Sequence, residues 1–200
     1  MDKRIEKTKH MIKTTMLELM KKKPFNKITV KEICENAYTS RITFYTYYED
    51  KYDLIEDIAT DIKSEVLNYY ELLQSRNNAA NDVIQAHMNI VDSILETEKK
   101  YFDSTGFTPH TLSPEMQLFY FRYIKQFVAD IETSLVKINP RYPEKLFSAF
   151  LAGGVWAYIG EAEAGGHSLQ DTKNEVKSLL TEILKSKLLK LPTAKRCVEP

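Results

Sequence analysis

The sequence predicts an all-α protein, and three observations lead to that fold class. Glycine and proline, with six and seven copies in 200 residues, are too sparse for the many tight turns of a β-sandwich. Apolar residues recur at helical spacings through most of the chain, which is the period of amphipathic helices. Hydrophobic residues make up 43% of the chain, so there is enough apolar material for a packed core.

The N-terminal part begins with two predicted helices. Residues 4–22 carry one apolar stripe, and Pro24 ends this helix. Thr29 and Glu32 have the spacing of a capping box, in which the threonine side chain accepts from a backbone N–H and the glutamate reaches back. The second predicted helix therefore begins directly after Thr29.

A third short helix and a long fourth helix follow. Thr39 or Ser40 can cap the third helix, and Asp50 can cap the fourth. Two short helices separated by a break of two or three residues, in a basic stretch, indicate a helix-turn-helix. The sequence therefore predicts an N-terminal three-helix DNA-binding head over residues 1–50 and a C-terminal helical body over residues 51–200.

The charge distribution supports this division. The chain has no net charge, with 28 basic and 28 acidic side chains. Residues 1–48 hold eleven of the basic and five of the acidic groups, so they carry +6 and the remainder carries −6. A basic head suggests contact with a polyanion. Charge asymmetry also arises by chance, so it does not decide the function alone.

The sequence of the body predicts further helices with short breaks between them. They extend over about residues 79–100, 114–138, 143–164 and 171–188. Ser113 and Pro114 form a typical helix start, Gly165 and Gly166 end the third of these helices, and Ser168 caps the last.

Several classes of protein are disfavoured by what the sequence lacks. Cys34 and Cys197 are the only cysteines, which argues against a disulfide framework and favours a reduced, cytoplasmic protein. No apolar run approaches the ~18 residues of a membrane span. The body has no phosphate-binding glycine loop, no paired metal-ligand motif and no nucleophile elbow. We therefore expect no enzymatic activity, no cofactor and no metal.

The third predicted helix combines hydrogen-bond donors with an apolar side. Arg41 and Thr43 can donate to base edges, and Phe44 and Tyr48, four residues apart, can hold one face on the domain. This pattern suits a helix that lies in a DNA major groove. The alternative is that these aromatic residues form only a small core.

The run from Ile28 to Leu54 resembles the DNA-binding segment of TetR-family transcriptional regulators. The positions that match in register are Thr29, Ile33, Ala37, Ser40, Thr43, Phe44, Tyr45, Tyr47, Tyr48, Lys51 and Leu54. Two positions depart from the family pattern: Tyr38 replaces the turn glycine, and Ile42 replaces a small residue. The turn must therefore form without a residue at positive φ, or Tyr38 must bear backbone strain, because a side chain disfavours positive φ.

The resemblance implies a role in DNA binding for nine side chains. Those implied to contact the DNA backbone are Thr29, Tyr45, Tyr47 and Lys51. Those implied to face base edges are Arg41 and Thr43, with Ser40 and Ile42 beside them, while Lys31 could reach either.

The resemblance also implies an apolar effector cavity in the body. Most of the many aromatic residues there will be core, but some can line such a cavity. The candidates for pocket contacts are His87, Phe119, Tyr123, Gln126, Phe127, Phe150 and Trp156.

A homodimer through the last two helices is the third implication. Small residues permit close helix approach, and an apolar stripe on the final helix can cover them. The candidates for this interface are Gly153, Gly154, Ala157, Leu179, Leu180, Ile183 and Leu184. The alternative is an intramolecular helix pair.

Together these features favour a ligand-responsive transcriptional regulator, and a repressor that binds a palindromic operator as a homodimer in particular. Its partners would be double-stranded DNA, a small-molecule effector and a second copy of the chain. One alternative is a family member that activates transcription with a protein coactivator. Another is a helical small-molecule carrier or enzyme whose head is structural.

Overall fold

A computed structural model of the chain describes residues 3–102, 109–134 and 141–186, and every regular element in these ranges is a helix. The α-helices are α1 (Lys3–Met20), α2 (Val30–Asn36), α3 (Arg41–Tyr47), α4 (Lys51–Asn77), α5 (Val83–Phe102), α6 (Pro114–Ser134), α7 (Glu144–Ala164) and α8 (Leu169–Lys185). Short 3-10 turns occur at Phe25–Lys27 and Pro109–Thr111. The predicted ends of the helices near residues 138 and 188, and Cys197, lie outside the described residues.

The chain divides into two compact units. The first contains the described residues of 1–69 and 96–123, and the second those of 70–95 and 124–200. Helices α4, α5 and α6 contribute residues to both units. The division of function at residue 50 stays a prediction.

The first unit has a core built from α1, α2, α3 and the beginning of α4. Its fully buried side chains include Ile12, Met16, Ile33, Phe44 and Leu54. These residues come from all four helices, and α2 packs against both α1 and α3. The apolar stripe predicted for the first helix is therefore the side that faces this core.

The predicted helix starts in the first unit are confirmed. Thr29 and Glu32 form both hydrogen bonds of a capping box at the start of α2. Ser40, rather than Thr39, caps α3, because its Oγ accepts from the Thr43 N–H at 3.0 Å. The carboxylate of Asp50 accepts two backbone N–H groups in the first turn of α4.

The start of α5 differs from the sequence prediction. The helix begins at Val83 rather than near residue 79. Asp82 caps it by accepting from the backbone N–H three residues later at 2.8 Å. Asn78 is buried and binds the backbone of Asp82 through both ends of its amide. These two side chains organise a turn that the apolar periodicity did not reveal.

The second unit contains the packed pair α7 and α8. Leu180, Leu184 and Val176 on α8 are buried, as are Phe147 and Leu151 on α7. As predicted, α7 ends in glycine, with Gly165 at the cap and Gly166 at φ 75°. In α5, the Asp92 carboxylate forms ion pairs with Lys173 at 3.0 Å and Lys177 at 2.8 Å, which join α5 to α8.

Candidate nucleic-acid interface

Helix α3 presents one buried and one exposed face. Phe44 and Tyr48 are buried, with ring centroids 5.5 Å apart, and they hold the helix on the domain as predicted. Arg41, Ile42 and Tyr45 are exposed, and Ile42 has 82% of its surface accessible. The exposed face therefore offers a guanidinium, an aliphatic group and a phenol, which are the chemical groups that read base edges and phosphates.

A network of charged groups fixes the end of α3. Tyr48 donates its hydroxyl to the carboxylate of Asp57 on α4 at 2.9 Å. Lys9 and Lys13 on α1 reach the same carboxylate oxygen at 3.0 and 2.9 Å. Burial opposes the charge of Asp57, but the hydrogen bonds from these three partners outweigh it and lower the pKa of the carboxyl. The C-terminal end of α3 is thus joined to α1 and α4 through the Asp57 carboxylate.

Sequence reasoning identified Tyr48 as an anchor and did not identify Asp57. Lys13 lies 44 residues before Asp57 in the sequence and 48 residues before Asp61, which it also binds. Contacts of that range have no local sequence pattern.

The N-terminus of α2 is occupied by its own cap. Thr29 donates its hydroxyl to the Glu32 carboxylate at 3.0 Å and accepts from the Glu32 N–H at 3.3 Å. Lys23 forms a close ion pair with the same carboxylate. The hydrogen bonds from Lys23 and Thr29 lower the pKa of Glu32 to about 2. The phosphate contact of Thr29 stays a prediction, and it would have to share this hydroxyl with the capping box.

Lys31 lies on the exposed side of α2. It faces Glu35 across 3.8 Å, a loose ion pair in which both side chains are largely exposed. Such a pair contributes little to stability. The ammonium of Lys31 can therefore turn toward a DNA phosphate at low cost.

Lys51 is placed differently from what the family resemblance implied. Its ammonium donates to the backbone carbonyl oxygens of Phe25 at 2.9 Å, Asn26 at 3.2 Å and Ile28 at 2.9 Å. It also lies 4.7 Å from the centre of the Phe25 ring. Burial lowers the pKa of this lysine. Because an ammonium has three N–H donors, this geometry uses all of them to hold the segment between α1 and α2. The phosphate contact of Lys51 stays a prediction, and it would have to compete with these three carbonyls.

Of the remaining side chains predicted to contact DNA from α3 and its cap, Thr43 and Tyr47 are partly covered and Ser40 is exposed. The hydroxyls of Ser40 and Thr43 lie 2.9 Å apart and share a hydrogen bond at the start of the helix. Tyr47 is half-buried. Their contacts with DNA stay predictions. The predicted residues from Ser40 to Tyr47 lie on α3 and its N-cap. Thr29 caps α2 and Lys31 lies in its first turn. Lys51 packs against the segment that joins α1 to α2.

The turn between α2 and α3 contains the departure from the family pattern. Tyr38 has φ 50°, in the left-handed region, so the expectation of an unusual backbone is confirmed. Its side chain is 92% exposed, the highest value among the exposed large hydrophobic residues of the described chain. Sequence reasoning treated Tyr38 only as a backbone irregularity and did not count it among the surface residues of the site.

The candidate pocket residues are distributed over both units. Phe119 and Tyr123 belong to the first unit, where their rings stack with centroids 6.3 Å apart. His87 and Phe127 are buried in the second unit, and Trp156 is half-buried there. The pocket itself stays a prediction.

Gln126 and Phe150 do not suit an enclosed pocket in a single protomer. Gln126 is exposed and donates to Asp130 one turn later at 2.8 Å, as polar residues on a solvent-facing helix surface do. Phe150 is 64% exposed on α7. Their contact with an effector stays a prediction.

The candidate dimer residues also fall into two groups. Gly154, Ala157 and Leu179 are exposed, while Gly153 and Ile183 are half-buried. Leu180 and Leu184 are buried inside the second unit, so they belong to the packing of the protomer itself. The two leucines follow the intramolecular alternative that the sequence had left open.

Two chemical features are absent from the described residues. No three His, Cys, Asp or Glu side chains there lie close enough together to hold a metal ion. Within the same ranges, no helix is long and apolar enough to cross a membrane.

Comparison with known proteins identifies the head. Residues 14–58 match the family model described as bacterial regulatory proteins, tetR family. A segment of 58 residues is 43% identical to the HTH-type transcriptional regulator YxbF of Bacillus subtilis (strain 168). That segment makes up 29% of this chain and 15% of the relative, so the match spans only a small part of the relative's length.

Solved structures extend the similarity in fold to the body. A TetR-family regulator from Syntrophomonas wolfei str. Goettingen aligns with a TM-score of 0.71 at 12% identity, over 92% of this chain and 97% of that one. Thermus thermophilus FadR, a TetR-family repressor in complex with lauroyl-CoA, aligns with a TM-score of 0.56 at 18% identity, over 93% and 98%. At these identities the comparison establishes the fold alone.

The anchored α3, its exposed polar face and the strained turn before it define a helix-turn-helix domain, the fold of a large class of DNA-binding proteins. The match over residues 14–58 covers the same elements. In residues 14–58 the chain therefore carries a segment that matches the tetR family of bacterial regulatory proteins. YxbF, which matches over part of the same head, is described as an HTH-type transcriptional regulator.

Proposed function

We propose that this chain is a ligand-responsive transcriptional repressor that binds a palindromic DNA operator as a homodimer in the cytoplasm. The observation that carries the proposal is the division of α3 into two faces. Phe44 and Tyr48 are buried and fix the helix, while Arg41 and Ile42 are exposed, in a part of the chain whose residues 1–48 carry +6. A helix held this firmly with its polar groups outside is suited to insertion into a major groove.

An exposed apolar surface on α7 supports the homodimer. Leu146 and Phe150, one helical turn apart, are 66% and 64% exposed, and Gly154 continues this line with open space in front of it. Leu179 on α8 is exposed as well. Large apolar side chains grouped in this way are typical of an interaction surface. A symmetric dimer would place two copies of α3 on the two halves of an inverted repeat.

A solved structure of the same fold supports the ligand response. FadR of Thermus thermophilus has the same fold and binds lauroyl-CoA. In such a regulator the effector binds the conformation that does not fit DNA more tightly, and so shifts the population away from DNA. Lauroyl-CoA is a reasonable first probe, and a rise in melting temperature would report binding to the native state.

The test of DNA binding is a titration of the full chain against a fixed random-sequence duplex over a series of salt concentrations. We expect saturable binding at low salt that weakens steeply as salt rises, because lysines and arginines displace counterions from phosphates. Absence of binding at low salt would contradict the proposal. It would favour the helical carrier or enzyme with a structural head.

The direction of regulation needs a separate experiment. Deletion of the gene should raise transcription of the neighbouring genes if the protein is a repressor. A fall in their transcription would favour the activator that works with a protein coactivator.

A further inference from the structure

The turn that joins α2 to α3 has a backbone geometry that normally requires glycine. The Thr39 N–H donates to the Cys34 carbonyl at 3.0 Å, and the Tyr38 N–H donates to the Glu35 carbonyl at 3.4 Å. This is the hydrogen-bond pattern of a Schellman motif, in which the residue at the position of Tyr38 adopts positive φ. Tyr38 does so at φ 50°, although its β-carbon disfavours that conformation.

The protomer gives no packing that would offset this strain. With 92% of its surface accessible, the Tyr38 side chain makes few contacts within the chain. The other non-glycine residue with positive φ in the described ranges is Asn81, at φ 53°. Asparagine tolerates this conformation because its short amide can bond locally, whereas tyrosine has no such property. An exposed outlier of this kind points to a function for the side chain.

The position of Tyr38 relative to α3 indicates what that function is. Tyr38 lies three residues before Arg41, at the same end of α3 as the residues expected to face base edges. In a helix-turn-helix the first helix crosses the DNA backbone and the second enters the groove by its N-terminal residues. The residue between the two helices therefore lies beside the sugar-phosphate wall of the groove. A phenol has an O–H donor suited to a phosphate oxygen.

We propose that Tyr38 contacts duplex DNA, with its hydroxyl donating to a backbone phosphate at the edge of the major groove. The inference rests on the proposed function, because it assigns a further residue to the same DNA-binding surface. A neutral hydroxyl replaces no counterion, so this contact adds affinity without adding salt dependence. That property separates Tyr38 from the lysines of the head.

The test compares Tyr38→Gly, Tyr38→Phe and Asn81→Gly in the full chain. Asn81→Gly is the matched control, since it relieves the same backbone conformation at a position far along the chain. Each protein is titrated against a fixed random-sequence duplex over a salt series, and its thermal unfolding is recorded. Tyr38→Gly should melt at or above the wild-type temperature, because glycine suits the turn.

The same variant should bind the duplex roughly three- to tenfold more weakly per protomer, which is the contribution of one hydrogen bond. The slope of affinity against salt should stay at the wild-type value. Tyr38→Phe should lose a similar factor, since it removes only the hydroxyl. Asn81→Gly should bind as the wild type does.

Wild-type affinity in Tyr38→Gly would overturn the proposal. A lower melting temperature for Tyr38→Gly would also count against it, because the ring would then stabilise the fold. If Tyr38→Phe binds with wild-type affinity while Tyr38→Gly does not, the Tyr38 hydroxyl does not donate to a phosphate and the proposal is contradicted. Failure of the wild-type chain to bind at low salt would instead remove the proposed function on which the inference rests.

Discussion

At the scale of single residues, the ammonium of Lys51 organises the segment that connects α1 to α2. It supplies a donor to three carbonyl oxygens in the stretch from Phe25 to Ile28, a stretch with only one short 3-10 turn. Backbone acceptors without a partner are costly when they are partly buried. The lysine thus sets the position of the N-terminus of α2, on which the helix-turn-helix depends.

Lys51→Met should lower the free energy of unfolding by about 1–3 kcal/mol, because the three carbonyls lose a charged donor. Chemical denaturation measures this, with Lys22→Met as control, since Lys22 is an exposed lysine near the same segment. The salt dependence of DNA binding should stay the same in the folded variant. Unchanged stability with a salt slope reduced by ~1 would show that Lys51 binds a phosphate after all.

Arg41 is the residue on which sequence discrimination should depend most. Its guanidinium is exposed in the first turn of α3, where its two-pronged donor set can reach a guanine edge. Arg41→Ala should reduce the preference for a selected duplex over a scrambled one by ~1–3 kcal/mol per half-site. Lys31→Ala is the comparison, since loss of a phosphate contact weakens both duplexes alike. An unchanged preference in Arg41→Ala would mean that Arg41 contacts only phosphate.

At the scale of elements, α2 is a short helix whose N-terminus is held by the capping box and the ion pair with Lys23. The Glu32 carboxyl has a pKa of about 2 in the fold against an ordinary 4.5. A folded-state pKa below the unfolded one means that the carboxylate stabilises the fold above pH 4.5. That contribution disappears as the pH falls toward 2.

Glu32→Gln should therefore be less stable than the wild type at neutral pH, and the difference should shrink between about pH 4.5 and pH 2. Urea denaturation at several pH values measures it. Thr29→Ala should cost ~1 kcal/mol because it removes the cap, and part of that loss should also disappear at low pH, because the Thr29 hydroxyl is one of the donors that lower the pKa of Glu32. A difference that grows as the pH falls would contradict this account of Glu32.

The sequence revealed the elements of the head because their signals are local. Thr29, Ser40 and Asp50 each act on backbone groups within three residues, so a capping pattern is visible in the sequence. Lys51 donates to carbonyls 23 to 26 residues away, and no sequence pattern near Lys51 indicates those partners. The family resemblance implied a phosphate contact for Lys51 and gave no indication of these carbonyl partners.

The same limit applies to α8. An apolar stripe indicates that one side of the helix is buried. It does not indicate whether that side packs against the same chain or against a second copy of the chain. Leu180 and Leu184 prove to be buried within the protomer, while Leu179 on the same helix and Leu146 and Phe150 on α7 are exposed. The helix was predicted correctly, and the distribution of its side chains between core and surface required the structure.

At the scale of the whole molecule, the exposed surface of α7 should form the homodimer. Leu146→Glu combined with Phe150→Glu places charges where the partner should pack, and unpaired buried charges are costly. Light scattering should show a folded monomer, with weaker DNA binding than the wild type. Leu180→Glu is the contrast, because it should lower the melting temperature by disrupting the core. A double variant that remains a stable dimer would place the interface elsewhere.

The most direct test of the DNA-reading dimer is selection from a random-sequence duplex library by the full chain, followed by sequencing of the retained DNA. The account predicts enrichment of an inverted repeat with two similar half-sites, because two copies of α3 would be related by a two-fold axis. Retention of duplexes with no common sequence, or with a single unrepeated site, would contradict it.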